Sequence, residues 1–479
     1  MPDREGGLAL EVLADAGEVS RRLEAAGLSE RAADEQAEIF ARAAAELLRA
    51  GERPDAPAAA FHVPGRIEIL GKHTDYCGGR SLLAATEQGF AFAGVSGRGA
   101  RVEIRDVLRG ERDSFEISRD LASPPGHWSN YPRTVARRVA RNFPGAFRGC
   151  RIAFGSSLPP AAGLSTSSAF MIGTFLVLSE LEGLPSRPLY REALSTPEAL
   201  AAYLAAVENG SSFGALSGDR GVGTQGGSED HTAILSSRAG EMSVWSFGPV
   251  RLERRLPAPG GFLFAVASSG IAAEKTGRAL DLYNRSSRLA RAVVEVWNRA
   301  AGDAAPHIAA ILSASPRRGA ELREALRRTP HPEFSSSDLL RRLEHFEEES
   351  ERIIPEAIQS LDAGDLRGFG ALVDRSEERG ARLLGNQVPE TERLAAEARR
   401  LGAAASSAFG AGFGGSVWAL VREDAAGRFL ESWREAYGAA FPARAPAARF
   451  FLTAAAPAAC ELRDKTRPEA SAGGARRQK

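Results

Sequence analysis

The chain has 479 residues, 43% hydrophobic and 25% charged, the balance of a soluble globular protein with room for two packed domains. Its 61 basic and 61 acidic side chains cancel, which argues against nucleic acid or an anionic membrane surface as partner and makes any anion recognition local. Cys77, Cys150 and Cys460 form a poor disulfide framework and the N-terminus lacks a secretion signal, so a cytoplasmic location is expected. The most apolar run, Ala169 to Leu178, is too short to span a membrane, and the seven histidines lack zinc-site spacing.

Residues 8–50 carry apolar positions at helical intervals and predict two helices with a break near Gly27 to Glu30, a scaffold without evident chemistry. Phe61 to Leu70 then reads as a strand that opens into Gly71-Lys72-His73-Thr74-Asp75-Tyr76-Cys77-Gly78-Gly79-Arg80, a turn dense enough in charge to be a site. Strands are predicted at Ala91 to Val95, Val102 to Ile104 and Cys150 to Phe154, with a basic helix from Thr134 to Arg141. Trp128 and Tyr131 are expected to pack in the core.

At Pro159 to Ala169 a loop of small and hydroxyl residues runs into a helix, Ala169 to Leu181, that is apolar on every face. Small side chains let backbone N–H groups approach an anion, and a buried helix aims its unpaired donors and positive dipole end at whatever the loop holds. A helix over Pro185 to Leu204 follows, ending near Glu208, and glycines at 218–227 then deliver Glu229, Asp230 and His231 to the head of an apolar turn. Strands are predicted at Val244 to Phe247 and Phe262 to Ser268, on either side of a boundary at 250–260.

Beyond it the pattern is mainly helical (Lys275 to Ala300, Ser337 to Ser360, Asp365 to Leu384, Glu390 to Leu401), with strands at Ser416 to Val421 and Arg449 to Leu452. Gly410 to Gly415 satisfies G-x-G-x-x-G, but a strand rather than a helix is predicted after it. That context excludes a dinucleotide fold and leaves close backbone approach as the reason for the glycines.

Three glycine-rich loops in this order resemble the superfamily of galactokinase, homoserine kinase, mevalonate kinase and phosphomevalonate kinase, and galactokinase most. Residues 64–79 are similar to its N-terminal signature, 159–169 to its phosphate loop and 409–416 to its third motif; Trp128 to Tyr131, Glu229 to His231, Tyr283 to Arg285 and Leu384 to Asn386 are weaker echoes. The resemblance implies a two-domain α+β kinase fold with the active site in the interdomain cleft. Expected boundaries are a helical extension at 1–52, an N-terminal kinase domain at 53–255, a C-terminal kinase domain at 256–460 and a disordered tail at 461–479.

The same resemblance implies ATP and Mg²⁺, a small sugar as substrate, and phosphorylation of the anomeric hydroxyl of galactose or a galactose-like aldose; the sequence leaves the oligomeric state open, with a monomer favoured. By family precedent Asp230 and Arg66 are catalytic, the carboxylate taking the hydroxyl proton and the guanidinium stabilising developing charge. Pro159, Ala161, Ala162, Gly163, Leu164, Ser165, Thr166, Ser167, Ser168, Gly412 and Gly414 match nucleotide-binding positions. Ser167 and Glu208 match magnesium positions; Lys72, His73, Asp75, Gly227 and Tyr283 match sugar-contacting ones.

Three departures stand out: Ala161 and Thr166 in the phosphate loop, Glu229-Asp230-His231 where the family has Met-Asp-Gln, and Lys72 where galactokinases carry a glutamate that grips the far end of the sugar. A lysine donates where a glutamate accepts. Lys72 therefore either faces a carboxylate at C6, making the substrate galacturonate, or pairs with Glu229 or another acid. A catalytically silent sugar and ATP sensor, and a kinase of a non-sugar alcohol, are the remaining alternatives.

Overall fold

The computed structural model describes residues 7–160, 162–271 and 277–464. Leu8–Ala9 (β1) is followed by three helices, Leu10–Ala14 (α1), Ala16–Ala25 (α2) and Glu30–Arg49 (α3), one more than the hydrophobic spacing predicts. The extra break falls at Asp15, whose carboxylate accepts the Glu18 N–H and so caps α2. A 14-residue strand, Pro57–Leu70 (β2), and a 17-residue strand, Arg80–Ser96 (β3), form the spine of the first sheet. Arg101–Asp106 (β4), Arg112–Glu116 (β5) and Cys150–Ser156 (β6) complete the order β1-β2-β3-β6-β4-β5, in which only β4 and β6 run parallel.

Alternation along the two spine strands explains both faces of this sheet. Ala58, Ala60, Ala91 and Ala93 face α3, where their small side chains let Phe40 and Ala43 approach. Ala59, Phe61, Phe90 and Phe92 face the other way, against Phe170 and Val177 of the buried helix Thr166–Leu181 (α5), which follows Asn130–Asn142 (α4). The helical stretch expected at 185–204 is two helices, Pro188–Ala193 (α6) and Pro197–Asn209 (α7), because Thr196 caps a new start and Pro197 occupies its first turn. Glu229–Ser236 (α8), Glu241–Phe247 (β7) and Val250–Pro257 (β8) follow, so part of the expected boundary region is a strand paired to β7.

The second half is built on an antiparallel sheet that starts with Phe262–Ser268 (β9). Between this strand and its partners lie Gly277–Ala301 (α9), Ile308–Ser313 (α10), Arg318–Arg328 (α11), Ser336–Phe346 (α12), Ile354–Asp362 (α13), Leu366–Arg379 (α14) and Pro389–Arg400 (α15). A π-helical segment, Glu347–Ile353, joins α12 to α13, and another, Gly380–Leu384, ends α14. Ala405–Phe409 (β10), Ser416–Arg422 (β11) and Arg449–Thr453 (β12) give the order β10-β11-β9-β12, with Ala426–Ala440 (α16) between the last two. The chain then returns to the first sheet, where Cys460–Glu461 (β13) pairs with His62 and Phe61. Residues 465–479, most of the expected tail, lie outside the described residues.

Two register shifts in β2, at Pro64/Arg66 and Glu68/Leu70, fall where the strand enters the functional region and re-aim its side chains. Gly65 sits in the first. A Cβ there would lie 2.8 Å from Leu158 Cδ2, 2.9 Å from Thr86 Oγ1 and 3.0 Å from the Leu164 carbonyl oxygen. The phosphate loop therefore rests directly on this backbone, with Arg66 N–H donating to the same carbonyl at 3.3 Å. Gly65→Ala is expected to cost about 1–3 kcal/mol by overpacking; urea unfolding measures the effect.

Candidate active site

The sugar loop at 71–80, the phosphate loop and the turn before α8 open onto one cleft of about 320 Å³, within the range of small-ligand sites. Arg66 and Asp230 meet at its floor. Arg66 donates from Nε to Asp230 Oδ1 at 2.8 Å and from Nη1 to the Gly163 carbonyl at 2.6 Å, while Nη2 lies 2.7 Å from the same Asp230 oxygen. The guanidinium also lies over the Phe409 ring, 5.8 Å from its centroid. Arg66 is buried, whereas the Asp230 side chain keeps 21% exposure toward the cleft. Asp230 is thus oriented by a fixed cation and still reachable by a ligand.

Gly163, Ser165, Thr166, Ser167 and Ser168 line the cleft; Ala162 and Leu164 are buried behind it, Pro159 lies outside the lining, and Ala161 is outside the described residues. Pro159 and Ala162 instead serve the loop's own shape: their carbonyls accept from Thr166 Oγ1 at 3.5 Å and from Ser416 Oγ at 2.5 Å. Ser165, the N-cap of α5, has φ +59° and makes no side-chain cap bond, and its buried hydroxyl has no hydrogen-bond partner among the described residues. The head of a 16-residue buried helix is therefore left open toward the cleft, as a phosphate cradle requires.

Ser168 Oγ donates to Glu208 Oε2 at 2.9 Å and lies 3.4 Å from Asp230 Oδ2, while Thr224 Oγ1 donates to Glu208 Oε1 at 3.4 Å. His231 Nε2 is 3.3 Å from Glu208 Oε2. Among the described residues no group of three His, Cys, Asp or Glu side chains is arranged to hold a metal. Magnesium needs no such cage, since it keeps waters and binds through one or two protein oxygens and the substrate phosphates; Ser167, Ser168 and Glu208 fit that role.

In the sugar loop, His73 and Asp75 reach the cleft. A carbonyl can only accept, so the 3.0 Å contact of His73 Nε2 with Ala411 O puts the proton on Nε2, and Nδ1 accepts from Tyr76 Oη at 2.7 Å. Burial lowers the His73 pKa to about 4, so the ring is neutral. Asp75 accepts from the Tyr76 N–H at 2.8 Å and the Glu229 N–H at 3.3 Å. Gly227 faces this carboxylate so closely that a Cβ would lie 2.1 Å from Oδ2, and Gly226 similarly makes way for Tyr283 Oη, at 2.4 Å.

Lys72 departs from expectation. It is 2% exposed and lines no part of the cleft; Nζ turns into the C-terminal half, donating to Ser376 Oγ at 3.0 Å and Ser407 Oγ at 2.6 Å, with Glu377 at 3.7 Å. The acid it meets is Glu377, not Glu229. In the third glycine-rich motif, Gly410 and Ala411 border the cleft, but Gly412 packs on Asn386 and Gly414 on Ile271, so these two support the loop rather than line the site. The motif is the tip of the β10–β11 hairpin, and Phe413 in it has φ +59°.

Trp128 and Tyr131, expected in the core, line the cleft beside Phe154 and Phe170, with Trp128 6.1 Å from each of these rings. Such an aromatic wall suits a flat base. Sequence order hid this, since Phe154 and Phe170 come from other elements. Glu68 is another lining residue the sequence did not point to, as are Asp106, Arg109 and Thr224.

Profile comparison matches "Galactokinase galactose-binding signature" at residues 50–95, "GHMP kinases N terminal domain" at 130–219 and "GHMP kinases C terminal" at 357–439. The chain thus carries the galactokinase signature and matches both domain models of the galactokinase, homoserine kinase, mevalonate kinase and phosphomevalonate kinase superfamily, and resembles its galactokinases. It is 25% identical over 363 residues to a galactokinase of Glaesserella parasuis, spanning 75% of this chain and 84% of the relative. A galactokinase of Thermotoga maritima is 24% identical over 382 residues, spanning 78% and 92%. The fold matches Lactococcus lactis galactokinase in its galactose complex, with TM-score 0.69, 20% identity and coverage of 85% and 95%. Methanococcus jannaschii mevalonate kinase matches with TM-score 0.52, 14% identity and coverage of 84% and 99%.

Around Arg66 the cleft carries more carboxyls than that one guanidinium can balance. Glu68 and Glu229 are buried side by side near Arg66, Glu229 accepting from Ser81 Oγ at 2.7 Å and lying 3.9 Å from Arg66 Nε. Burial pushes Glu68 up to about 7 and Glu229 well above the carboxylate range, the charges of Glu68, Asp75 and Asp230 raising Glu229 further and that of Arg66 lowering it; burial also takes Asp75 to about 6. A carboxyl with a raised folded-state pKa holds its proton more tightly when folded. Its contribution is complete below its unfolded pKa and is lost as pH rises through the folded one. Melting temperature is therefore expected to fall as pH rises from about 4.5 to about 7, and Glu229→Gln should flatten this slope. An unchanged slope in calorimetry across that window would show that the pair is not protonated.

Proposed function

We propose that this protein is an ATP-dependent sugar kinase that phosphorylates the anomeric hydroxyl of galactose or a closely related neutral aldose. The observation that carries this reading is Asp230, held by Arg66 at the floor of the cleft and exposed toward the space beside the open head of α5. A hydroxyl bound against Asp230 transfers its proton to the carboxylate as its oxygen bonds to the γ-phosphorus, and the bond from that phosphorus to the ADP oxygen breaks. Arg66 keeps Asp230 ionised and stabilises negative charge building on the attacking oxygen. The first-turn N–H groups of α5 and the hydroxyls of Ser165 to Ser168 hold the phosphates, and a bound magnesium ion would neutralise their charge.

The galactokinase relatives support galactose as the sugar, and His73, Asp75, Gly227 and Tyr283 supply the surface against which it would lie. A galacturonate reading rested on Lys72, which turns out of the cleft and so offers no cation to a C6 carboxylate. A silent sensor has no use for the Arg66–Asp230 pair. ADP release over a panel of galactose, other neutral aldoses and galacturonate tests the proposal, with phosphorus NMR locating the phosphate on the anomeric oxygen. Asp230→Ala is expected to lose about 10²–10⁴-fold in kcat with nucleotide KM little changed. Absence of sugar-dependent turnover in the wild type would overturn the reading.

A further inference from the structure

The turning of Lys72 out of the cleft gives it a different task. Its ammonium donates to two hydroxyls, and each of these donates onward to a separate glutamate. Ser407 Oγ donates to Glu377 Oε2 at 2.9 Å, and Ser376 Oγ donates to Glu349 Oε1 at 2.9 Å. Both relays close on backbone: Glu377 Oε2 also accepts the Ala408 N–H at 3.1 Å, and Glu349 Oε1 accepts the Gly71 N–H at 2.8 Å. Lys72, Ser376, Ser407 and Glu349 are all buried, and Gly380 at the end of α14 makes room, since a Cβ there would lie 3.0 Å from Lys72 Cδ. Four segments of the C-terminal half thereby converge on two consecutive residues of the sugar loop.

The next residue is His73, whose φ of +56° is a strained conformation for a histidine. Its carbonyl accepts from Arg342 Nη2, its Nε2 donates to Ala411, and its ring borders the cleft. A strained residue persists only where its surroundings over-determine it. On the N-terminal side of His73, the Lys72 relays supply that determination.

We propose that Lys72 is a positioning residue for the sugar end of the cleft: its two Ser–Glu relays lock the sugar loop to the C-terminal half and so hold His73 and Asp75 in place. The proposal rests on the sugar-kinase reading for its kinetic consequence, but the lock itself is a property of the loop. Sugar affinity depends on the lock, whereas nucleotide affinity, set by the phosphate loop and the aromatic wall, does not.

The test uses the full chain with Lys72→Met, which keeps the length and removes the donor, and Ser407→Ala, a smaller change should the first variant fold poorly. Hydrogen exchange of the 71–77 amides is expected to accelerate about tenfold in either variant, while exchange over α5 stays at wild-type rates. KM for the sugar is expected to rise about tenfold with KM for the nucleotide within about twofold. Adding Ser407→Ala to Lys72→Met should change little further, because the two act through one relay. Unchanged exchange over 71–77, or equal increases in both KM values, overturns the lock. If the wild type turns over no sugar, the kinase reading falls, and the exchange comparison still decides whether Lys72 holds the loop.

Discussion

The site depends on one buried guanidinium. Arg66 stands where β2 loses register, and its three nitrogens reach Asp230 at the head of α8 and the Gly163 carbonyl of the phosphate loop. A single planar group thus sets the distance between the carboxylate that would take a proton and the loop that would hold phosphate. Arginine suits this because its donors form a rigid fork and its charge persists on burial, where a lysine could lose its proton or swing. The surrounding carboxyls accept the cost of sharing that charge. Asp230 takes it directly, and burial raises the pKa values of Glu229 and Glu68.

Around this pair each loop is held in a conformation its residues do not favour. His73, Ser165 and Phe413, one in each of the three loops, are the non-glycine residues with positive φ among the described residues. Backbone strain gathered at a ligand site and compensated by its neighbours is the pattern of a preorganised cleft. The compensation is visible in each case: Lys72 and Arg342 flank His73, the buried α5 anchors Ser165, and Asn386 O accepts the Phe413 N–H at 2.5 Å.

What could be read from the sequence was whatever depends on local chemistry. The small residues and hydroxyl run of the loop at 159–169 signal close approach and anion binding without knowledge of the partner, whereas the roles of Arg66 and Asp230 were expected from the family resemblance of the motifs around them. The strands Cys150 to Phe154, Phe262 to Ser268 and Ser416 to Val421 were legible from apolar runs bounded by turns. The direction of Lys72 was not, because its partners lie 304 and 335 residues away and a serine in a helix looks the same whether or not an ammonium rests on it. Glu68 was hidden as one polar position in an apolar strand, and Trp128 passed for core because the cleft wall is itself apolar. Helix counts failed where a short side chain decided the break, as at Asp15 and Thr196.

The return of the chain to its first sheet has a consequence for how the molecule is made. β2 is flanked on its outer side by Leu8–Ala9 and by Cys460–Glu461, Ala456 N–H donates to the Ala85 carbonyl, and Glu87 accepts the Ala454 N–H. The entire C-terminal sheet and its helices are thus inserted between segments of the N-terminal sheet. During synthesis the early strands emerge hundreds of residues before the segment that finishes their edge. That edge stays open to wrong partners until the ribosome has passed residue 461, and domain-by-domain folding in order of synthesis, the usual route for chains of this size, cannot finish here with the first domain alone.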